Sequence, residues 1–318
     1  MPLATIGLII FLGGLFFILG RAADVVVYAA RRIGEALRVR VFFLGLMLGL
    51  LTSLPEIAVG FNAIINDLAS ITFGNLIGGI IVLLSLILGV SIVLNRRIAT
   101  DGNPRYILAI VAYAYLPIIL AFDGHIGFID GSICVVLYAV LVWYLYLKSA
   151  TSKRAGTMLD DMLDRPKISK ELLWLVGGSL AVMIVSTIII HVTTKLLEAV
   201  GIPQLLLGVV LFAIGTNLPE LIVTIRSWRR KVRDLSLGNL IGSALANVLI
   251  VGILGLLKPY SIMVDQSYFI LVFMGFIILG LVALFYISHS KLSRTEGFIL
   301  AGLYVVFVIT QFSAFALA

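Results

Sequence analysis

The stretch LTSLPE at residues 51–56 is answered by GTNLPE at residues 215–220, and each puts a proline and a glutamate inside a long apolar run. From Val41 to Ile65 the only formal charge is that of Glu56. A carboxylate in the middle of a run long enough to cross a bilayer is costly, and by default it marks a functional position. These two stretches therefore bear on both the fold and the candidate site.

The composition around them is that of an integral membrane protein. Of the 318 residues, 61% are hydrophobic and 12% are charged, and the mean hydropathy is +1.17. Soluble domains are nearer to half apolar and a quarter charged. A spanning helix needs roughly 20 apolar residues, and windows of this size lie at about 3–29, 41–65, 69–94, 106–122, 126–147, 172–194, 202–225, 235–257, 267–287 and 297–317. The sequence predicts an all-α integral membrane protein with ten transmembrane helices.

The second half of the chain restates the first. FGNLIGG at 73–79 is answered by LGNLIGS at 237–243, at the same offset of 164 residues as the proline-containing pair. A third pair of similar stretches is DGSICVVLY at 130–138 and EGFILAGLY at 296–304. Three matches in one order at nearly one spacing predict a duplicated five-helix unit. Because five is odd, the second copy enters the membrane from the opposite side, which is typical of transporters built from inverted repeats.

The domain organisation follows from this duplication. We predict a first five-helix repeat at 1–148 with its motif region at 49–83, a cytoplasmic tether at 149–170, and a second repeat at 171–318 with its motif region at 213–247. The tether is short, polar and of mixed charge, which leaves no room for a regulatory domain. In inverted-repeat transporters the substrate site lies near the midplane, at interrupted helices in corresponding positions of the two halves.

The basic residues orient the chain in a membrane. In a ten-helix topology all of the 23 Lys and Arg residues except Lys195 and Lys258 fall in loops on one side. The positive-inside rule then predicts a multi-pass protein of the cell membrane with both termini outside. The same rule accounts for the basic run at 228–233, so we expect no nucleic-acid partner. Cys134 is the only cysteine, which excludes an internal disulfide and a cysteine-based metal site.

Each proline is predicted to interrupt its helix. Pro55 has no N–H for the carbonyl of Leu51, and Pro219 has none for the carbonyl of Gly215. Backbone oxygens freed in this way inside a membrane must be satisfied by protein, water or an ion. The interruption thus places loosened carbonyls one turn before each glutamate.

Polar side chains share the helix face of each glutamate, because residues three and four apart are neighbours on a helix. They are Thr52, Ser53 and Glu56 in the first half and Thr216, Asn217 and Glu220 in the second, with Ser243 and Asn247 as further candidates. Six to eight oxygens with two negative charges suit Ca²⁺, whereas fewer oxygens with one charge suit Na⁺. The lack of thiolates and clustered histidines argues against softer metals.

Structural interpretations remain open beside these. The proline segments could be kinks whose glutamates are protonated and hydrogen-bonded between helices. The glycines of the second motif could serve close helix packing; they are Gly74 with Gly78 and Gly238 with Gly242. Asp24 could extend to the inner interface or pair with Arg21 or Arg31.

On these motifs the sequence resembles the cation/calcium exchanger superfamily, most closely its prokaryotic sodium/calcium exchangers. That family has two inverted five-helix repeats, each with a G-T-S-L-P-E-like motif and a following G-N-x-I-G-S motif. The resemblance implies a cation site at Thr52, Ser53, Glu56, Thr216, Glu220 and Ser243, with Asn217 where a serine is usual and Asn247 where an aspartate or asparagine is expected. In the first repeat, Gly79 stands in place of the motif's serine and Leu83 in place of a polar residue.

The function implied is a secondary antiporter that exchanges Ca²⁺ for Na⁺ by alternating access around two midplane glutamates. Because Gly79 and Leu83 offer no side-chain oxygen, we expect sodium coupling that is weak or of lower stoichiometry than the family's three. A Ca²⁺/H⁺ exchanger that uses the same glutamates is the close alternative, and a cation channel or an intramembrane enzyme is less favoured. The partners expected are Ca²⁺, Na⁺ or H⁺, and membrane lipid, with no cofactor. The oligomeric state is open, with a monomer as one option.

Overall fold

The computed structural model describes residues 3–37, 41–53, 69–95, 97–99, 103–149, 166–198, 216–288 and 291–316, with the isolated residues 56, 57, 60, 61 and 64. The helices of the first half are α1 (Leu3–Leu37), α2 (Val41–Thr52), α3 (Ala69–Ile81), a π-helical segment (Val82–Ile87), α4 (Leu88–Asn95), α5 (Pro104–Leu120) and α6 (Phe128–Ser149). Those of the second half are α7 (Pro166–Glu198), α8 (Leu218–Arg229), α9 (Arg233–Leu257), α10 (Gln266–Ser288) and α11 (Arg294–Ala316). Four short strands complete the fold: β1 (Arg97–Ala99), β2 (His125–Ile126), β3 (Tyr260–Ser261) and β4 (Lys291–Ser293).

The all-α membrane architecture predicted from the sequence is confirmed. Within the described residues, seven helical segments are long and apolar enough to cross a bilayer, and each coincides with a predicted span. Of the other three predicted spans, 41–65 begins with α2 and 172–194 lies within α7. The third, 202–225, is described only from residue 216 onward. Most of the predicted tether also lies outside the described residues, and α7 already begins at Pro166.

The helices form a buried centre and a lipid-facing periphery. Most residues of Thr72–Asn95 and of Asp234–Leu257 are buried, whereas most residues of Phe128–Leu147 are half-buried or exposed. The peripheral helices expose large apolar side chains such as Trp143 and Phe273, as expected of surfaces that face lipid. The centre of the protein is therefore built from α3, α4 and α9, and the GNLIG motifs lie in α3 and α9.

Two pairs of helices approach so closely that only glycine fits between them. A Cβ placed on Gly89 of α4 would lie 2.7 Å from the carbonyl oxygen of Gly297 on α11. A Cβ on Gly131 of α6 would lie 2.6 Å from the carbonyl oxygen of Gly252 on α9. Small residues at such crossings let membrane helices pack backbone against backbone.

Two antiparallel ribbons join loops that are distant in sequence. Strand β1 pairs with β4, with Ile98 opposite Leu292. Strand β2 pairs with β3, with Ile126 opposite Tyr260. Paired loops lie on the same side of a membrane, so the chain between the two strands of a ribbon crosses it an even number of times. The predicted spans give six crossings between β1 and β4 and four between β2 and β3, in agreement with this requirement.

Candidate functional site

Two helix ends bring the candidate site together. Helix α2 ends at Thr52, one turn before Glu56, and the backbone N–H of Ser53 still donates to the carbonyl of Gly49 at 3.2 Å. Helix α8 begins at Leu218, directly after Asn217 and with a proline in its first turn. Proline suits a first turn because its missing N–H has no intrahelical partner there. The interruption predicted for the second half is thus seen as a helix start, whereas Pro55 lies outside the described residues.

The start of α8 places Glu220 in the first turn of the helix. Unpaired N–H groups and the helix dipole make this end partially positive, which favours a negative side chain there. Glu220 is wholly buried and lies close enough to Glu56 for the two carboxylates to interact electrostatically. The site therefore holds two negative groups from opposite halves of the sequence.

Glycines on α2 and α9 allow these groups to meet. A Cβ on Gly45 would lie 2.6 Å from the carbonyl oxygen of Leu235, and a Cβ on Gly49 would lie 2.4 Å from the backbone nitrogen of Ser243. On the facing helix, a Cβ on Gly242 would lie 2.5 Å from the carbonyl oxygen of Leu46. The backbones of α2 and α9 are therefore in direct contact, which brings the polar end of α2 beside Ser243.

Packing is thus the role of Gly242, as one interpretation of the GNLIG motifs predicted. The same interpretation is wrong for Gly74 among the residues that the structure describes, since a Cβ there would meet none of their atoms within 4 Å. The contacts of Gly45 and Gly49 were not predicted. Their signal was present in the sequence, because two glycines four residues apart in an apolar helix form a packing face.

Hydroxyl groups line the contact between the two helices. The Ser243 hydroxyl lies 3.0 Å from Glu220 Oε1 and 3.3 Å from the carbonyl oxygen of Gly49, and it can donate to one of them at a time. Thr52 Oγ1 lies 3.5 Å from Ser243 Oγ and 3.1 Å from the carbonyl oxygen of Leu48. Ser53 donates to Gly49 at 2.9 Å. A hydroxyl that donates to a backbone carbonyl keeps its lone pairs for another partner, such as a cation.

The two carboxylates are incompletely satisfied. Glu56 is 5% exposed and Glu220 is 0% exposed, yet the Oε2 atom of each has no hydrogen-bond partner among the described residues. A buried carboxylate without full hydrogen bonding is costly unless a cation or a proton neutralises it. The arrangement can therefore bind a cation through two charges and several neutral oxygens.

The remaining predicted residues occupy different surroundings. Asn247 is buried and its Nδ2 donates to the carbonyl oxygen of Leu76 at 3.1 Å. Asn217 is buried next to Gly79, 3.3 Å from the position of a Cβ on that glycine. Thr216 is half-buried at the edge of the described chain. The structure thus brings Thr52, Glu220 and Ser243 into direct contact and puts both asparagines on the α3 side.

The partner expected for Asp24 is corrected by the structure. The sequence suggested Arg21 or Arg31, but Asp24 pairs with Arg226 and Arg230 of α8, each at 3.2 Å. Helical periodicity puts Arg21 and Arg31 on the face of Asp24, but α1 packs directly against α8, whose two arginines reach the carboxylate. The ion pair links α1 to the helix that carries Glu220, some 200 residues further along the chain.

Comparisons with known proteins find relatives along almost the whole chain. A family model described as sodium/calcium exchanger protein matches residues 6–147 and 170–313. The chain is 29% identical over 349 aligned residues to the sodium/calcium exchanger MaX1 of Methanosarcina acetivorans, covering 97% of this chain and 99% of that protein. It is 28% identical over 306 residues to an uncharacterized membrane protein of Methanocaldococcus jannaschii, covering 93% of this chain and 96% of the relative.

A solved structure shares the fold. The sodium-calcium exchanger NCX_Mj, soaked with 2.5 mM Na⁺ and 1 mM Sr²⁺, matches with a TM-score of 0.82 at 23% identity. The match covers 97% of this chain and 99% of that one. The whole helical arrangement described above is therefore that of a known membrane protein.

Proposed function

The chain belongs to the sodium/calcium exchanger family, and from this premise we propose that it is a secondary antiporter that moves Ca²⁺ across the membrane in exchange for Na⁺. The observation that carries the proposal is the pair of buried carboxylates, Glu56 and Glu220, each with one oxygen that has no partner among the described residues. Named relatives of the chain are exchangers, so we expect a transporter and no enzymatic activity.

The charge of the site explains why exchange is obligatory. Two ionised glutamates facing an apolar barrier are costly to move between access states. One Ca²⁺ cancels both charges, and so do two Na⁺ or two H⁺. The empty carrier has a charge of −2 at the site. Its site therefore stays open to one side of the membrane until cations bind.

The ligands that we assign combine the two charges with neutral oxygens. Glu56 and Glu220 supply charge, and the hydroxyls of Thr52, Thr216 and Ser243 supply oxygen. We place the hydroxyl of Ser53 and the amide oxygens of Asn217 and Asn247, but not their N–H groups, around the same cation sites. Ca²⁺ takes six to eight oxygen ligands, and this donor set, with nearby backbone carbonyls such as that of Gly49, meets the requirement.

We also propose that the two halves are inverted repeats. Gly89 and Gly252 stand at nearly equivalent positions of the two motif helices, and Gly297 corresponds to Gly131 at the repeat offset seen in the sequence. The contact of Gly89 with Gly297 is thus the counterpart of the contact of Gly252 with Gly131. The ribbons support the same relation. At the repeat offset β1 corresponds to β3 and β2 to β4, so the pairing of β1 with β4 corresponds to the pairing of β3 with β2. Contacts that recur in this way are what a twofold axis in the membrane plane produces.

The alternative counter-ion is H⁺, which the same carboxylates could carry. Gly79 in α3 and the wholly buried Leu83 offer no side-chain oxygen, and this favours fewer sodium sites. The test is ⁴⁵Ca²⁺ uptake into proteoliposomes with imposed Na⁺ or H⁺ gradients. We expect an outward Na⁺ gradient to drive uptake at constant pH. Uptake driven only by the H⁺ gradient would support the alternative, and uptake that needs no counter-gradient would indicate a channel.

For the orientation we propose N-out and C-out, with residues 149–170 in the cytoplasm. A cysteine introduced at Ser152 is expected to react with an impermeant maleimide only from the cytoplasmic side, and one added after Ala318 only from outside. The native Cys134 is buried, and labelling of the protein that carries only this cysteine gives the background signal. Labelling of both introduced cysteines from one side would contradict the span count, and the inverted-repeat proposal with it.

A further inference from the structure

The two halves of the site differ at the residue that follows the GNLIG motif. In the second half, Ser243 follows the motif and contacts Glu220. In the first half, the corresponding residue is Gly79, which has no hydroxyl to offer Glu56. The two halves of the site therefore do not supply the same ligands.

Amide groups from the second half fill the place that a side chain at Gly79 would take. The position of a Cβ on Gly79 lies 2.7 Å from Asn247 Nδ2 and 3.3 Å from Asn217 Nδ2. Both asparagines are 3% exposed. The counterpart of Asn247 in the first half is Leu83, which is 0% exposed and belongs to the apolar core. The polar groups next to Gly79 thus come from the second half of the chain.

The orientation of Asn247 is set by a hydrogen bond. Its Nδ2 donates to the carbonyl oxygen of Leu76 at 3.1 Å, so that the N–H side of the amide faces α3. Na⁺ and Ca²⁺ are bound by oxygen atoms, and an N–H group repels them. The donor satisfies the Leu76 carbonyl in the way that a cation would, and this carbonyl is then not free to bind one.

We propose that Asn247, with Asn217 beside it, permanently replaces a monovalent cation next to Gly79, and that the protein therefore exchanges each Ca²⁺ for two Na⁺ without net movement of charge. This rests on the exchange function proposed above. Two Na⁺ suffice to neutralise Glu56 and Glu220, and a third would have to bind where an amide N–H already lies. The counter-ion stoichiometry is thus set by residues that are not charged.

The proposal predicts the effect of Asn247→Asp. An aspartate cannot donate to Leu76, so it frees that carbonyl as a ligand and adds a third negative charge, which a third Na⁺ can neutralise. Gly79→Ser alone is expected to change the coupling little, because the added side chain first has to displace the Asn247 amide. Gly74→Ser is the matched control, since it lies in the same motif and its Cβ meets nothing within 4 Å.

The experiment measures the Ca²⁺ ratio across proteoliposome membranes at equilibrium, at a fixed Na⁺ gradient and fixed pH. The membrane potential is set by K⁺ and valinomycin, either near zero or about 100 mV negative inside. We expect the same ratio at both potentials for the unmodified protein and for Gly74→Ser. For Asn247→Asp, an inside-negative potential should lower the internal-to-external Ca²⁺ ratio by up to about 50-fold, the effect of one net charge moved per cycle.

Each outcome is decisive for one of the two proposals. A ratio in the unmodified protein that shifts with potential while Na⁺ still drives Ca²⁺ would overturn the two-sodium coupling alone. Absence of any Na⁺-driven Ca²⁺ movement would overturn the exchange function itself. If Asn247→Asp exchanged Ca²⁺ for Na⁺ with no response to potential, the assignment to Asn247 would be wrong. The unmodified protein alone decides the stoichiometry, so the test stands even if the variant fails to fold.

Discussion

Replacing Glu220 by glutamine is expected to lower Ca²⁺ transport by about 100-fold or more while the protein still folds and inserts. Glutamine keeps the size of the side chain, and its carbonyl oxygen can still accept from Ser243, which lies 3.0 Å from Glu220 Oε1. What is lost is one of the two negative charges that balance Ca²⁺ in the proposed site, and removing one partner of a buried pair of opposite charges, here a carboxylate and the cation, costs about 3–5 kcal/mol. Neutral oxygens nearby cannot make up this difference for a divalent ion.

The measurement is the initial rate of Na⁺-driven ⁴⁵Ca²⁺ uptake at equal amounts of reconstituted protein. Glu56→Gln is expected to have the same effect, because in the proposed site the two glutamates bind one Ca²⁺ together. The matched control is Glu171→Gln on α7, where the carboxylate pairs with Arg32 at 3.5 Å, away from the site. That pair is partly exposed, and its loss should leave transport within about twofold. Near-normal uptake by either site variant would remove the glutamates from the mechanism.

The second large effect is expected at Gly49, a residue that contributes no side chain. In Gly49→Ala the new methyl group would lie 2.4 Å from the backbone nitrogen of Ser243 and 2.6 Å from the carbonyl carbon of Gly242. Backbone atoms within a helix cannot yield as a flexible side chain can, so α2 and α9 must separate. Overpacking of this kind costs about 1–3 kcal/mol of stability, and it moves Thr52 away from Ser243. A tenfold loss of Ca²⁺ affinity corresponds to a free-energy change within this range. We expect the loss of affinity to exceed about 10-fold.

Gly74→Ala provides the comparison, because the same change on α3 meets nothing within 4 Å. It should leave both the midpoint of thermal unfolding and Ca²⁺ affinity unchanged, or raise stability slightly, since alanine favours a helix over glycine. Both variants can be followed by thermal unfolding in detergent and by ⁴⁵Ca²⁺ binding. If Gly49→Ala bound Ca²⁺ as tightly as the unmodified protein, the contact between α2 and α9 would not shape the site.

The sequence by itself determined the membrane architecture, because the bilayer sets the length of each apolar run and this length is read directly along the chain. It also singled out Glu56 and Glu220 as candidate site residues, since a carboxylate in an apolar span stands out without any knowledge of its neighbours. An interruption at Pro219 was predicted on the same local basis, and the start of α8 at Leu218 agrees with it. These features depend on residues within one or two helical turns.

Only the tertiary structure decided which groups meet across helices. The amide of Asn247 lies at Gly79 and the carboxylate of Asp24 lies between Arg226 and Arg230, although these residues are far apart in sequence. Helical periodicity gives the face on which a residue lies, but the rotation and crossing point of two helices set its partner. Here the crossing depends on backbone contacts such as that of Gly49 with Ser243, in which the glycine has no side chain. For this reason the sequence predicted the charges of the site, and the fold decided which neutral groups surround them.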